Sequence, residues 1–235
     1  MTPLEPALQA GLNTAVAELG LVVPPAQIDT LLRYLFLLQR WNSVYNLTSV
    51  RDPEQMLTLH VADCLALVAP LRRQLEGQSG AGRVAGHGAS PGARLLDVGS
   101  GAGLPGVVIA ALNPDMAVTC VETVGKKAAF VQQVASELAL KNLRSEHTRV
   151  ERLHAAPFNV ITSRAFASLP DFVKLTRPLL APQGAWMAMK GKHPADELAQ
   201  LPADVDVFHV EPLAVPGLIA ERCLVWMKDK ASSAA

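Results

Sequence analysis

The stretch Arg94-Leu95-Leu96-Asp97-Val98-Gly99-Ser100-Gly101-Ala102-Gly103-Leu104-Pro105-Gly106 decides how this chain is read. Leu95 to Val98 is a short, mostly apolar run, long enough for one buried strand. Glycine then returns at alternate positions, 99, 101 and 103. Lacking Cβ, these residues reach positive φ in a tight turn and let a ligand approach the backbone closely. The apolar segment Val107–Leu112 that follows reads as a helix. Pro105 suits its first turn, where the missing N–H has no partner to lose. Strand, glycine turn and helix in this order form a nucleotide-binding crossover. A turn alone needs neither three glycines nor acids, Asp97 and Glu122, at the ends of two successive strands.

Outward from this stretch the pattern alternates strand and helix, which predicts an α/β fold with a doubly wound, mostly parallel sheet. Ala117–Glu122 is the second strand, and Lys126–Leu140 a helix with Phe130, Val131, Val134 and Leu138 inward. Arg144–Thr148 is a weak third strand; Phe158–Ser163 is the fourth and leads into Arg164-Ala165-Phe166. Leu169–Leu180 is helical, and Pro182-Gln183-Gly184 turns into the fifth strand, Ala185–Lys190. A short helix at Asp196–Leu201 precedes Val205–Glu211 and Arg222–Lys228, which have no room for a helix between them. Two strands joined in that way pair antiparallel.

Towards the N-terminus, residues 4–19 and 26–42 carry apolar side chains at helical spacing, with a break at Pro24-Pro25. Asn46-Leu47-Thr48 is a polar bend. Asp52 then reads as an N-cap with Pro53 at the first helical position. The helix it starts runs through His60, Asp63 and Leu67 toward Pro70, placing His60 and Asp63 on one face. The predicted organisation is an N-terminal helical extension over residues 1–76, a flexible Gly/Ser/Ala-rich loop over 77–92, a catalytic domain over 93–230 and a tail over 231–235.

The chain has 235 residues, half of them hydrophobic, so a full core can be buried. Its formal net charge is zero, so a nucleic-acid partner has to be held by a local patch or by shape. Cys64, Cys120 and Cys223 are odd in number and far apart, with no metal-ligand spacing. They read as reduced thiols of a cytoplasmic protein. No signal peptide is read at the N-terminus, and no apolar run approaches the ~20 residues of a membrane span.

The glycine stretch fits two templates. Gly101-x-Gly103-x-x-Gly106 with Glu122 about 20 residues on matches the dinucleotide fingerprint. Asp97-x-Gly99-x-Gly101-x-Gly103 resembles the first motif of S-adenosylmethionine-dependent methyltransferases. Asp97 favours the second, because a carboxylate at the strand end suits a ligand's ammonium group and not a diphosphate. A closing antiparallel hairpin points the same way.

Asn46-Leu47-Thr48, His60-x-x-Asp63, the stretch from Asp97 to Gly106, Lys126-Lys127, Ser163-Arg164-Ala165-Phe166-Ala167-Ser168-Leu169 and Lys190-Gly191 occur together and in order. In this the chain resembles the bacterial small-subunit ribosomal RNA methyltransferase G family, also called glucose-inhibited division protein B, from roughly Asn42 to Lys228. The resemblance implies a Rossmann-like methyltransferase fold, S-adenosylmethionine as donor and N7 of one guanine in 16S ribosomal RNA as acceptor.

On this reading Asp97 meets the cofactor's ammonium group, and Gly99, Gly101 and Gly103 form the floor under its methionine part. The resemblance places Leu104 at the cofactor. Glu122 offers two oxygens to two ribose hydroxyls. The resemblance sets Val150 and Glu151 at the adenine edge and makes Arg164 a cofactor contact whose charge can also face RNA. Expected substrate residues are Asn46, His60, Lys126, Lys127, Arg164 and Lys190, with Lys192 close by. Phe166 is a candidate for base stacking or simply for burial. Guanine N7 has a free lone pair and no proton, so no catalytic base and no metal are expected. The neutral net charge favours a folded particle, the small ribosomal subunit, over naked RNA. A monomer with no membrane partner is expected. The alternatives are a methyltransferase of another RNA, a protein or a small molecule, a non-catalytic cofactor-binding module, and an NAD oxidoreductase.

Overall fold

The computed structural model describes residues 4–78 and 92–230. Most of the expected Gly77–Gly92 loop and the whole 231–235 tail lie outside the described residues.

Seven strands form one sheet: β1 Arg94–Val98, β2 Ala117–Glu122, β3 Leu143–His147, β4 Phe158–Arg164, β5 Leu180–Lys190, β6 Val205–Pro212 and β7 Cys223–Asp229. Their order is β3-β2-β1-β4-β5-β7-β6. The first five pair in parallel. β7 runs antiparallel to both β5 and β6, as expected for two strands with no crossover helix between them. The order changes direction between β1 and β4. That makes a crevice at their carboxyl ends, where open α/β sheets bind ligands.

Helices cover both faces. α1 (Leu4–Glu18), α2 (Pro25–Tyr45), α3 (Pro53–Met56), α4 (Asp63–Leu65) and α5 (Val68–Gln78) come before β1. α6 (Gly106–Leu112) and α7 (Gly125–Glu137) follow β1 and β2, α8 (Leu169–Thr176) follows β4, and α9 (Ala195–Ala199) follows β5. Strand alternation explains the two cores. Leu95, Val118, Val160 and Met187 point to the face covered by α6, α7 and the N-terminal helices. Leu96, Val121, Ile161 and Trp186 point to the face covered by α8. The N-terminal helices share one continuous apolar core with the sheet, through Leu31, Leu35, Leu38, Leu65 and Leu71.

Three local differences from the sequence reading have physical causes. Pro105 is the N-cap of α6 and not its first residue, so the helix begins at Gly106. β5 starts at Leu180 because the Pro182-Gln183-Gly184 segment is absorbed as a register shift opposite Phe158 and Val160. Between α3 and α4 the helix widens into a π-turn, Leu57–Ala62, which carries His60. As expected, Asp52 caps α3 by accepting a hydrogen bond from the Gln55 N–H at 2.8 Å.

Candidate active site

The glycine turn is built around two close approaches. Gly99 has φ +66°, and a Cβ there would sit 2.7 Å from the Phe166 ring. Gly103 has φ +86°, and a Cβ there would collide with Val107 and come within 3.1 Å of Val131. Both positions require glycine on backbone and steric grounds.

Asp97 lies beneath this turn. On β1 it shares a face with Leu95, so it points under α6 and is fully buried. Its Oδ2 accepts the Gly106 N–H at 2.8 Å, and its Oδ1 has no hydrogen-bond partner among the described residues. Burial pushes its carboxyl up to about 7, although the Gly106 N–H works in the opposite direction. Asp97 lines neither of the site's two cavities; the sequence places it at the ligand's ammonium group, and the structure shows it holding the turn to α6 through the Gly106 N–H.

Glu122, at the end of β2, braces the other side. One oxygen accepts the Gly101 N–H at 2.8 Å and the other accepts the Val124 N–H at 2.9 Å. The oxygen bonded to Val124 also accepts a long bond from the Thr123 hydroxyl at 3.4 Å, and the one bonded to Gly101 keeps a lone pair for a further donor. Glu122 lines a cavity of about 380 Å³ together with Gly99, Val150, Glu151 and Phe166. That cavity meets a cleft of about 590 Å³ at Gly99 and Ala165, the residues just past β1 and β4.

The larger cleft is lined by Lys127, Arg164, Lys190 and Arg222 against one acid, Asp63. A local basic patch thus exists on a chain whose net charge is zero. Asp63 is 2% exposed and binds both arginines: Oδ2 accepts from Arg164 Nη1 at 3.0 Å and Oδ1 from Arg222 Nε at 2.9 Å. Arg164 also donates to the Leu59 carbonyl at 3.0 Å, which ties β4 to the π-turn. His60 lies beside them with Nε2 2.9 Å from the Thr48 hydroxyl. Burial, and after it the Arg164 guanidinium, lower the His60 imidazole from its ordinary value.

The expected site residues divide clearly. Gly99, Gly101, Leu104, His60, Lys127, Arg164 and Lys190 converge on the larger cleft, and Glu122, Val150 and Glu151 on the smaller cavity. Gly103 supports the turn from behind. Asn46 stands apart: it is the left-handed C-cap of α2, exposed, and accepts a bond from Arg51 at 2.6 Å. The neighbouring Leu47 and Thr48 reach the cleft instead. Lys126 is exposed beside the cleft and Lys192 lies outside it. Lys190 is held by Glu197 at 2.8 Å and by the Ala167 carbonyl at 3.0 Å, so part of its charge is already met. Phe166 packs on Phe172 and under Gly99, and is a wall of the smaller cavity. Arg222 was not among the expected residues, and neither was the pairing of Asp63 with both arginines. Asp63 was visible only as sharing a helix face with His60. Nothing local marks Arg222, which is 159 residues from its partner.

The arrangement fits S-adenosylmethionine. Gly101 leaves open space on the turn, the Glu122 carboxylate lines the smaller cavity, and a basic cleft adjoins it. Among the described residues no group of His, Cys, Asp or Glu could hold a metal ion.

Comparison with known proteins agrees. A family profile described as rRNA small subunit methyltransferase G matches residues 27–225. The "Ribosomal RNA small subunit methyltransferase G" of Acidovorax sp. (strain JS42) is 58% identical over 232 residues, covering 98% of this chain and 97% of that protein. The protein of the same name from Leptothrix cholodnii is 60% identical over 212 residues, covering 90% and 91%. Among solved structures, TrmN from Thermus thermophilus superposes with a TM-score of 0.52 at 19% identity, over 69% of this chain and 48% of that one, a likeness of fold alone.

Proposed function

The chain belongs to the rRNA small subunit methyltransferase G family and is an S-adenosylmethionine-dependent methyltransferase of small-subunit ribosomal RNA; on that premise we propose how its cleft carries out the transfer. The acceptor that follows from the family is N7 of a guanine in 16S ribosomal RNA. Membership sets aside an NAD oxidoreductase.

When bound, S-adenosylmethionine supplies an electrophilic methyl group on a sulfonium. The chain's own task is to hold donor and acceptor in line and keep water out. Gly99, Gly101 and Leu104 cradle the methionine part, with Gly103 supporting the turn from behind and Asp97 fixing it from below. Glu122 accepts the ribose hydroxyls, and Val150 and Glu151 meet the adenine edge. Arg164, pinned by Asp63 and Leu59, lines the larger cleft next to Ala165, which both cavities share, and from there serves both ligands. His60, Lys127 and Lys190, with Arg222 added, face the guanine and its phosphates. Lys126 and Asn46 contribute at the rim. N7 carries no proton, so no group has to remove one, and His60 is assigned a hydrogen-bonding role.

The observation that carries this reading is that two cavities share Gly99 and Ala165 as walls, one lined by Glu122 and Glu151 with Arg149 and the other by four cations against Asp63; the first suits adenosine and the second RNA. We further infer that the protein works as a monomer in the cytoplasm and takes the assembled small subunit as substrate. A neutral chain has little long-range attraction for naked RNA, so shape has to supply the recognition. Methyl transfer from labelled S-adenosylmethionine to small subunits, to naked 16S RNA and to unrelated RNA tests this. Labelling of subunits well above naked 16S RNA is expected; equal labelling of all three would refute it.

A further inference from the structure

The C-terminal end of α2 presents an aromatic pair that the cleft does not use. Tyr45 is 44% exposed. Its ring packs against Trp41, with centroids 5.1 Å apart. Trp41 in turn lies 5.4 Å from Phe130 of α7, which is fully buried. Tyr45 is therefore the outer member of a stack anchored in the core, with little side-chain freedom left to lose on binding.

Its position follows from the antiparallel course of α2 and α7. Arg33 donates to the Glu137 carbonyl at 2.9 Å, and Trp41 meets Phe130. One further helical turn sets Tyr45 level with Lys126 and Lys127, and Lys127 lines the cleft. On its other side, Tyr45 is two residues from Leu47, another wall of the cleft. Arg51 is bonded to the adjacent Asn46. The nearest acid in sequence, Asp52, uses its side chain to cap α3. The carbonyl end of α2 disfavours a phosphate directly over Tyr45, so a base meets the ring and its phosphate turns toward the lysines.

We propose that Tyr45 is a stacking platform for the base of the RNA nucleotide next to the methylated guanine, with Lys126 and Lys127 taking that nucleotide's phosphate. The proposal rests on the reading of the cleft as a site of ribosomal RNA methylation. Every base has a π face, so the platform sets the course of the strand without reading its sequence.

The test compares wild type, Tyr45→Ala and Tyr45→Phe on small subunits lacking the methyl group. Loss of one base–aromatic stack predicts a fall in kcat/KM for Tyr45→Ala of about fivefold to a hundredfold. Tyr45→Phe stays near wild type, and S-adenosylhomocysteine affinity and Tm hold in both. An unchanged kcat/KM in Tyr45→Ala overturns the platform, and a matching loss of Tm or S-adenosylhomocysteine affinity assigns Tyr45 to structure instead. Tyr45→p-azidophenylalanine, irradiated on the subunit, is expected to cross-link to RNA beside the methylated guanine; a cross-link to ribosomal protein alone overturns the RNA assignment. If the wild type labels no RNA, the methylation reading fails first and takes the platform with it.

Discussion

Asp63→Asn is the perturbation whose outcome the structure defines most sharply. The Asp63 carboxylate is 2% exposed and bridges two guanidinium groups, at 3.0 Å to Arg164 and 2.9 Å to Arg222. With charges about 4 Å apart and an effective dielectric constant near 20, each attraction is about 4 kcal/mol. Removing the carboxylate from water offsets several kcal/mol of that sum. Asn keeps the shape and one acceptor but leaves two cations facing each other. Both arginines are 23% exposed and recover part of their hydration, which sets the net loss at about 3 kcal/mol, the low end for breaking a buried pair. For a chain of this size that is a fall in Tm of about 6–12 °C. Thermal unfolding of wild type, Asp63→Asn, Arg222→Gln and the double variant reads it directly. The double variant is expected to be more stable than the sum of the two single losses predicts, because the repelling pair is gone. A fall of less than about 2 °C, or strict additivity, would refute the bridge as a joint between β4, β7 and the N-terminal helices.

Two further predictions follow from the buried acids. Asp97 has a folded pKa of about 7 against an ordinary 3.8, so the folded state favours its protonated form. Its contribution is fully present below about pH 4 and is lost as pH rises to about 7, a span of about 4 kcal/mol. Asp97→Asn removes that slope: Tm relative to wild type should rise from pH 5 to pH 8, and an equal difference at both pH values would show that Asp97 carries no burial penalty. Glu122→Gln keeps one acceptor but turns an amide toward the Gly101 or Val124 N–H. Calorimetric titration with S-adenosylhomocysteine should show affinity weaker by about ten- to a hundredfold, and unchanged affinity would remove Glu122 from the cofactor site.

Local pattern carried most of the fold. The glycine turn needs positive φ and shows it in its residues; β6 and β7 lack an intervening helix and so must pair antiparallel. What depends on tertiary packing was less legible. Strand alternation alone would have put Asp97 on the same face as Leu95, under α6, yet its motif position suggested ligand contact. Asn46 reads as a polar functional residue and is a left-handed cap whose neighbours do the lining. Lys190 reads as a free cation, but Glu197, only seven residues on, meets it. Arg222 could not be found, because its role exists only once β7 returns beside β5 and brings it to Asp63.

The central claim is that this cleft methylates guanine N7 in small-subunit ribosomal RNA. The most direct measurement treats subunits from a strain lacking the modification with the protein and labelled S-adenosylmethionine, then cleaves the RNA chemically at N7-methylguanine. A single new cleavage in 16S RNA, coincident with the label, is the predicted result. No label in 16S RNA from protein that binds S-adenosylhomocysteine, or label at a site that resists this cleavage, would contradict it.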